Sequence, residues 1–453
     1  MRFRNTKQVD FLFLAEVTSR EEKSLILLTE ELKRRGYSAE YLLSGEWEGR
    51  RYKKQPKVLV INSCFDMNSI EHTVYTIAGE MKKVVTLRWE QIETKEDREN
   101  GEGCEEKRIV ETSKTFNTFA WGDDYYNRMI KIGMDEKYIH CVGPVFMDFL
   151  RPELKQVYYS QPTLKEKYHI PFNKKILLFI SNFSVIDFQS ENYIWNETHY
   201  GTEAANNILS VERKTQNAIL EWFVQFLKDY GEEWVLIYRP HPGVQEGTKA
   251  VEISNKTEGF FFISDLSAQQ WIVAADKIVT NVSTMISECY VSRKPVIVIR
   301  PYQLPDVMDT ALYEGVEYLE TYDRFVNAVL DDEYSINIPI FNKFYDITDI
   351  PSYIRISDEL EEIYKCSTYD AIWNEDELLY VRKRAINQRI KNFGSNVLKD
   401  MKLEIKKVMR CLHKVYEPKT VWGKKYMIKA ENIIKHDQEF KRKVRYILNM
   451  TNE

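Results

Sequence analysis

Hydrophobic positions in the first 150 residues fall into short continuous runs, separated by stretches where apolar residues recur every three or four positions. Val9–Val17 (VDFLFLAEV) reads as a buried strand. Over Glu21–Arg35, Leu25, Leu28 and Leu32 share one helical face, and Gly36 supplies the stop. Ala39–Leu43, Lys57–Asn62 (KVLVIN) and Val84–Trp89 (VVTLRW) predict further strands, with a helix between the last two. Strands alternating with helices imply a parallel sheet covered on both faces. Glu93–Lys107 is too charged to pack and reads as an exposed loop. Pro144, Pro152, Pro162 and Pro171 then punctuate a crossing. The alternation restarts with Lys175–Ser181 (KILLFIS), a long helix around Asn206–Asp229, Trp234–Arg239 (WVLIYR), Phe260–Ser264, Lys277–Thr280, a helix from Ser283, and Val296–Arg300 (VIVIR). The fold class is therefore α/β, with two doubly wound domains at residues 1–150 and 151–350 whose sheets present their carboxyl ends to a cleft. Residues 351–453 predict a mostly helical tail.

Composition narrows the class. With 453 residues, 43% hydrophobic and 13% aromatic, the chain can bury sizeable cores, which excludes a mainly disordered protein. A net charge of −5 argues against nucleic acid as the main partner. No apolar run reaches the ~18–20 residues of a membrane helix, and the first apolar stretch meets Glu16 too early for a signal peptide. Cys64, Cys104, Cys141, Cys289, Cys366 and Cys411 lie far apart, with neither zinc-ligand nor disulfide-framework spacing. A cytoplasmic protein with reduced thiols and no metal is the expectation. Charge is uneven: Met401–Met450 holds 14 basic and 5 acidic residues, hence +9. With Trp422, Tyr426, Met427, Ile433, Ile434 and Phe440 interleaved, this segment fits either an anionic membrane surface or a helix packing back on the first domain.

Chemistry concentrates after two strands of the second block. Tyr238-Arg239-Pro240-His241-Pro242-Gly243 follows a strand, and the flanking prolines deny His241 a helical setting. Its imidazole can donate to a phosphate or transfer a proton; a solvated turn is the bland alternative. Val279 to Glu288 (VTNVSTMISE) runs from a strand through Asn281 into a helix expected at Ser283. Ser283, Thr284 and the N–H groups of that helix start would hold a phosphate, and Glu288 would accept from ribose hydroxyls. Otherwise Ser283 is an N-cap and Glu288 a surface charge. Asn182 and Ser184 follow the block's first strand and line the same site or form an ordinary turn. Arg300, after its last strand, is a phosphate partner or a plain strand end. In the first block, Glu16 and Glu90 follow strands; either carboxylate can take a proton from an acceptor hydroxyl or serve as a structural acceptor.

These motifs carry a resemblance. His241-Pro242, the helix–strand–Ser283-Thr284 stretch some forty residues on, and Lys294-Pro295-Val296-Ile297 are similar to bacterial surface-carbohydrate transferases. Those families are the teichoic-acid glycerophosphotransferases, bacterial polysialyltransferases and capsule Kdo transferases. Phe119-Ala120-Trp121-Gly122-Asp123-Asp124, Gly133 and Val142-Gly143-Pro144 through Asp148 resemble their first-domain run. The likeness spans about Phe116 to Pro301. It implies a GT-B fold of two Rossmann-like domains, a donor nucleotide on the second without metal, and donor phosphates on His241 and the Ser283–Thr284 pair. Gly122-Asp123-Asp124 reverses the acidic-acidic-glycine order of the polysialyltransferases, so their base does not carry over. Glu288 stands near an aspartate of the teichoic-acid enzymes. The expectation is a transferase moving a sugar or polyol phosphate from a CMP- or CDP-linked donor to a glycan or lipid-linked acceptor. A nucleotide-sugar 2-epimerase and a non-catalytic nucleotide- or glycan-binding subunit are the alternatives.

Overall fold

The computed structural model describes residues 8–43, 46–47, 55–100, 108–184, 190–241, 249–385 and 438–450. The chain parts into two compact units. The first draws on Met1–Glu90, Cys104–Phe146 and Asp346–Glu453, and the second on Gln91–Gly103 and Met147–Tyr345. Contact thus divides the sequence differently from a split near residues 150 and 350: the segment after Asp346 belongs with the first unit, and Gln91–Gly103 with the second.

The first unit carries a six-stranded sheet in the order β2-β1-β3-β4-β5-β6. The strands are β1 (Gln8–Leu14), β2 (Ala39–Leu42), β3 (Gln55–Ile61), β4 (Val84–Thr86), β5 (Asn117–Ala120) and β6 (Ile139–Cys141), each parallel to its neighbours. The strand order reverses between β1 and β3. The helix Thr18–Arg34 buries Leu25, Leu28 and Leu32, as its spacing requires. It ends in a Schellman turn: Gly36 N–H donates to the Lys33 carbonyl and Tyr37 N–H to that of Leu32, both at 3.0 Å, with Gly36 at φ +94°.

The helix Ser352–Lys365 returns to this unit and packs on Thr18–Arg34, burying Ile356, Leu360 and Ile363. Arg35 reaches Asp358 (2.6 Å) and Glu361 (2.9 Å). His140 Nδ1 lies 2.8 Å from Glu359, and its Nε2 lies 3.1 Å from the Asn117 side-chain oxygen. Part of the first-domain motif serves this return. Trp121 offers its carbonyl to the Asp346 N–H at 2.7 Å. Gly143, at φ +75°, lies so close that a Cβ would meet the Asp346 carbonyl and Ser352 Oγ at 2.6 Å each. Residues 438–450 form a further helix of the unit, burying Val444, Ile447 and Leu448 and pairing Arg445 and Lys441 with Glu30. This is the packing alternative for that stretch of the basic tail; Lys23 sits over the Phe440 ring. Residues 401–437, with Trp422, Tyr426, Met427, Ile433 and Ile434, lie outside the described residues.

The second unit carries a five-stranded parallel sheet in the order β11-β10-β7-β8-β9. Its strands are β7 (Lys175–Ile180), β8 (Trp234–Arg239), β9 (Phe260–Phe262), β10 (Lys277–Thr280) and β11 (Val296–Val298). Here the order reverses between β7 and β10. Both faces are covered, so β7 and β8 are almost wholly apolar. Phe179 meets Phe223 of the helix Thr202–Tyr230 at 5.0 Å between ring centroids, and Phe223 meets Phe325 of the helix Tyr322–Leu330 at 5.8 Å. Each such buried ring contributes about 1.5–3 kcal/mol of transfer free energy. Two segments correct the sequence expectation. Glu93–Lys107 is not simply an exposed loop, since it contains the helix Lys95–Asn100 and a bridge from Thr94 to Thr310. A separate helix, Glu191–Tyr200, precedes the long one. Among the described residues no helix is long and apolar enough to cross a membrane, and Cys64, Cys141, Cys289 and Cys366 are free thiols.

Candidate active site

Parallel strands all end on one edge of their sheet, and a crevice opens there where the strand order reverses. In the second unit that point lies between the exits of β7 and β10. Thr280 Oγ1 donates to the Ile180 carbonyl at 3.0 Å and clasps the two strands as they end. Ser181, Asn182 and Ser184 leave β7, while His241 leaves β8 two residues after Arg239. Asn281, Ser283 and Thr284 leave β10, and Arg300 leaves β11. The second-block residues singled out in the sequence thus come from four strand exits of a single sheet edge, with Glu288 on the following helix.

The Arg239 guanidinium donates to two backbone carbonyls of the β9 exit, those of Ile263 (3.2 Å) and Leu266 (2.6 Å). It braces a loop in which Leu266 adopts φ +64°. Burial lowers the Arg239 pKa, but an arginine stays charged. Burial also lowers the His241 pKa below its ordinary value, which favours the neutral imidazole with its single ring N–H. Pro242 and Gly243 lie outside the described residues. The side-chain oxygens of Asn182 and Asn281 are buried without a hydrogen-bond partner among the described residues. The Ser184 N–H donates to the buried Glu212 at 3.1 Å.

Three expectations are corrected here. The helix does not start at Ser283; it spans Ile286–Val291. The polar turn before it satisfies itself: Tyr313 Oη accepts the Ser283 N–H at 2.8 Å and donates to the Ser283 carbonyl at 3.0 Å. Ser283 Oγ takes the Met285 N–H at 3.3 Å, and carbonyls of Ser283 and Thr284 take the N–H groups of Ile286 and Ser287. The expected cradle of helical N–H groups is therefore already engaged. Arg300, expected as a phosphate partner, is 6% exposed. It pairs with both oxygens of Asp309 at 2.9 and 2.8 Å, bonds the Asn281 carbonyl through Nε at 3.1 Å, and lies over the Tyr313 ring. Burial raises the Asp309 pKa, but the Arg300 and Lys95 cations outweigh this and hold it below the usual carboxylate range. Glu288 is no surface charge. It is buried, accepts from Gln269 Nε2 at 3.2 Å, and burial pushes its pKa up to about 8. Gln269 in turn accepts from Tyr158 Oη.

In the first unit the reversal lies between β1 and β3. Glu16 accepts from the Asn62 side-chain amide, whose oxygen takes the Trp89 N–H at 3.2 Å. Glu90 is exposed and paired with Arg20, which also holds the buried Glu21 at 3.0 Å. The Glu21 carboxylate caps the helix in place of a side chain at Val17, accepting the N–H groups of Glu16 (2.8 Å) and Val17 (3.2 Å). Asn62, Arg20, Tyr313 and Asp309 were not singled out beforehand. Asp309 and Tyr313 lie in a stretch without periodicity, and only the folded chain brings them to Arg300 and Ser283. Among the described residues no group of three or more His, Cys, Asp or Glu could hold a metal ion.

No sequence-family profile matches the chain, and no curated protein matches it by sequence. Solved structures do. A wall teichoic acid polymerase TagF variant (H548A) aligns with a TM-score of 0.50 at 12% identity over 80% of this chain and 90% of its own. A UDP-GlcNAc 2-epimerase from Methanocaldococcus jannaschii, in complex with UDP-GlcNAc and UDP, gives 0.49 at 13% over 78% and 99%. That from Neisseria meningitidis, bound to UDP-GlcNAc, gives 0.47 at 12% over 78% and 100%. At such identities the likeness is one of fold, and the fold is GT-B: two Rossmann-like domains, as the motif resemblance implied.

Proposed function

We propose that the chain is a transferase moving a sugar or polyol phosphate from a nucleotide-activated donor, with a CMP- or CDP-linked one favoured, to a surface glycan or lipid-linked acceptor. The observation that carries this reading is the Arg239–His241 exit of β8 at the carboxyl edge of the second sheet. It pairs a fixed cation, bonded to carbonyls, with a neutral imidazole that retains an N–H. The acceptor oxygen bonds to the transferred carbon or phosphorus, the bond to the nucleotide's phosphate oxygen breaks, and CMP departs as charge builds on that oxygen. A preorganised donor aimed at developing charge lowers the barrier, and His241 fills that role with Arg239 supplying the field. The acceptor's proton passes to a carboxylate. Glu16, half-buried and held by Asn62, is the preferred candidate over Glu90, which is exposed and bound to Arg20. With a resident cation on β8 this chemistry needs no metal, and activity is expected to survive EDTA.

The test incubates the full chain with CDP-glycerol, a CMP-linked sugar or UDP-GlcNAc, with and without a glycan acceptor, and separates the products by chromatography. Acceptor-dependent release of CMP, lost in His241→Ala, supports transfer. Isomerisation of UDP-GlcNAc without an acceptor, or donor binding without turnover, overturns it in favour of an epimerase or a binding subunit.

A further inference from the structure

Among the described residues, two hydrogen-bond acceptors at the β7/β10 reversal have no donor. Asn281 is 1% exposed, and its Oδ1, like that of Asn182, is buried without a partner. Such groups are costly and uncommon in folded chains, and they persist where something else answers them. Both follow the ends of adjacent strands, and continuing the register sets Asn281 opposite Ser181, with Asn182 one residue further on. Ile180 lies opposite Thr280, so Asn281 is the first residue past β10 and Asn182 the second past β7. Neither exit is loose enough to turn its amide away. The Asn281 carbonyl is fixed by Arg300, itself clamped by Asp309. On the other side Ser181 Oγ accepts from Tyr238 Oη (3.1 Å) and from the Phe183 N–H (3.3 Å).

We propose that Asn182 and Asn281 read a pair of adjacent hydroxyls on the bound donor, each amide oxygen accepting one O–H. This rests on the nucleotide-donor reading above and names which part of the donor the reversal point takes. Carbonyl-type oxygens repel phosphate oxygens and attract hydroxyl hydrogens, so these two unanswered atoms fit a diol. Amides also suit the place better than carboxylates, because an acidic pair would repel the phosphates bonded to that diol. The hydroxyls come either from the ribose or from the transferred sugar or polyol.

Calorimetric titration of the full chain with CDP, 2′,3′-dideoxy-CDP and CDP-glycerol distinguishes the sources. If the ribose is read, dideoxy-CDP binds about tenfold more weakly than CDP; if the transferred polyol is read, CDP-glycerol binds about tenfold more tightly than CDP. Asn182→Ala and Asn281→Ala erase that difference. The wild-type comparison needs no variant. Equal affinities for all three ligands, or variants that retain the discrimination, overturn the proposal alone. Failure of the wild type to bind either CDP or CDP-glycerol overturns it together with the donor reading.

Discussion

The two sheets wind alike and reverse once each, yet they treat the reversal point in opposite ways. Between β1 and β3, Glu16, Asn62 and the Trp89 backbone are linked in series, and Arg20 bridges Glu21 and Glu90 through its two terminal nitrogens while its Nε stays buried without a partner among the described residues. Between β7 and β10, two amide oxygens are buried with nothing to bind, while Arg300 and Tyr313 hold the backbone beneath them. Winding decides where side chains converge. Two unanswered acceptors mark the second reversal point and one unanswered donor, Arg20 Nε, the first, so the balance of donors and acceptors differs between them.

The comparison breaks first at Arg300. Arg300→Ala removes the two-pronged partner of the buried Asp309 and leaves it only the half-buried Lys95 as a cation, and should destabilise the protein by up to about 3 kcal/mol, seen as a lowered midpoint in thermal unfolding. A near-native midpoint would mean that the β10 exit is not held by this pair. Next, His241→Ala should lower turnover ~10²-fold with an unchanged melting temperature; turnover close to wild type would remove the second unit's histidine from the chemistry. The third effect is pH-dependent. Burial raises the Glu288 pKa to about 8 from an ordinary 4.5, so between those values the folded state keeps a proton that the unfolded state releases. Stability therefore falls as pH rises through that window, by up to about 1.4 kcal/mol per pH unit, and levels off above it. Glu288→Gln should flatten the slope in denaturant unfolding between pH 5 and 8; an unaltered slope would assign it to other groups. The smallest effect belongs to Glu90, with 76% of its side chain exposed. Glu90→Gln should shift stability by only about 0–1 kcal/mol and leave turnover near wild type, whereas Glu16→Gln should depress it. The reverse ranking would make Glu90 the base.

Periodicity and strand punctuation revealed both sheets, because β1, β3, β7 and β8 are covered on both faces and read as unbroken apolar runs. The same reasoning brought His241 and Asn281 to a carboxyl edge, since a residue just past a parallel strand has no other place to go. What stayed hidden was set by residues distant in sequence. Ser283 looked like a helix start, but the Tyr313 hydroxyl, thirty residues on, takes its N–H and carbonyl and lets a turn precede the helix. Arg300 looked available because its partner Asp309 lies on an irregular loop. Glu288 looked solvated because nothing local announces the Tyr158–Gln269 chain that encloses it. The family-like Val142-Gly143-Pro144 run carried a resemblance and no structural role, whereas in the fold Gly143 is required by the returning backbone of Asp346 and the Ser352 hydroxyl.

That return sets an order of assembly. The first unit is interrupted in sequence by nearly all of the second, and it receives the helix Ser352–Lys365 only after residues 147–345 have been made. During synthesis the face of Thr18–Arg34 that will hold Ile356 and Leu360 stays bare while the second unit already has most of its chain. Domains fold as they emerge, so the second unit matures first and the earlier-made one closes last, with an apolar surface exposed in the interval. A chain stopped before Asp346 would keep that surface open indefinitely, making it a natural target for chaperone capture and proteolysis.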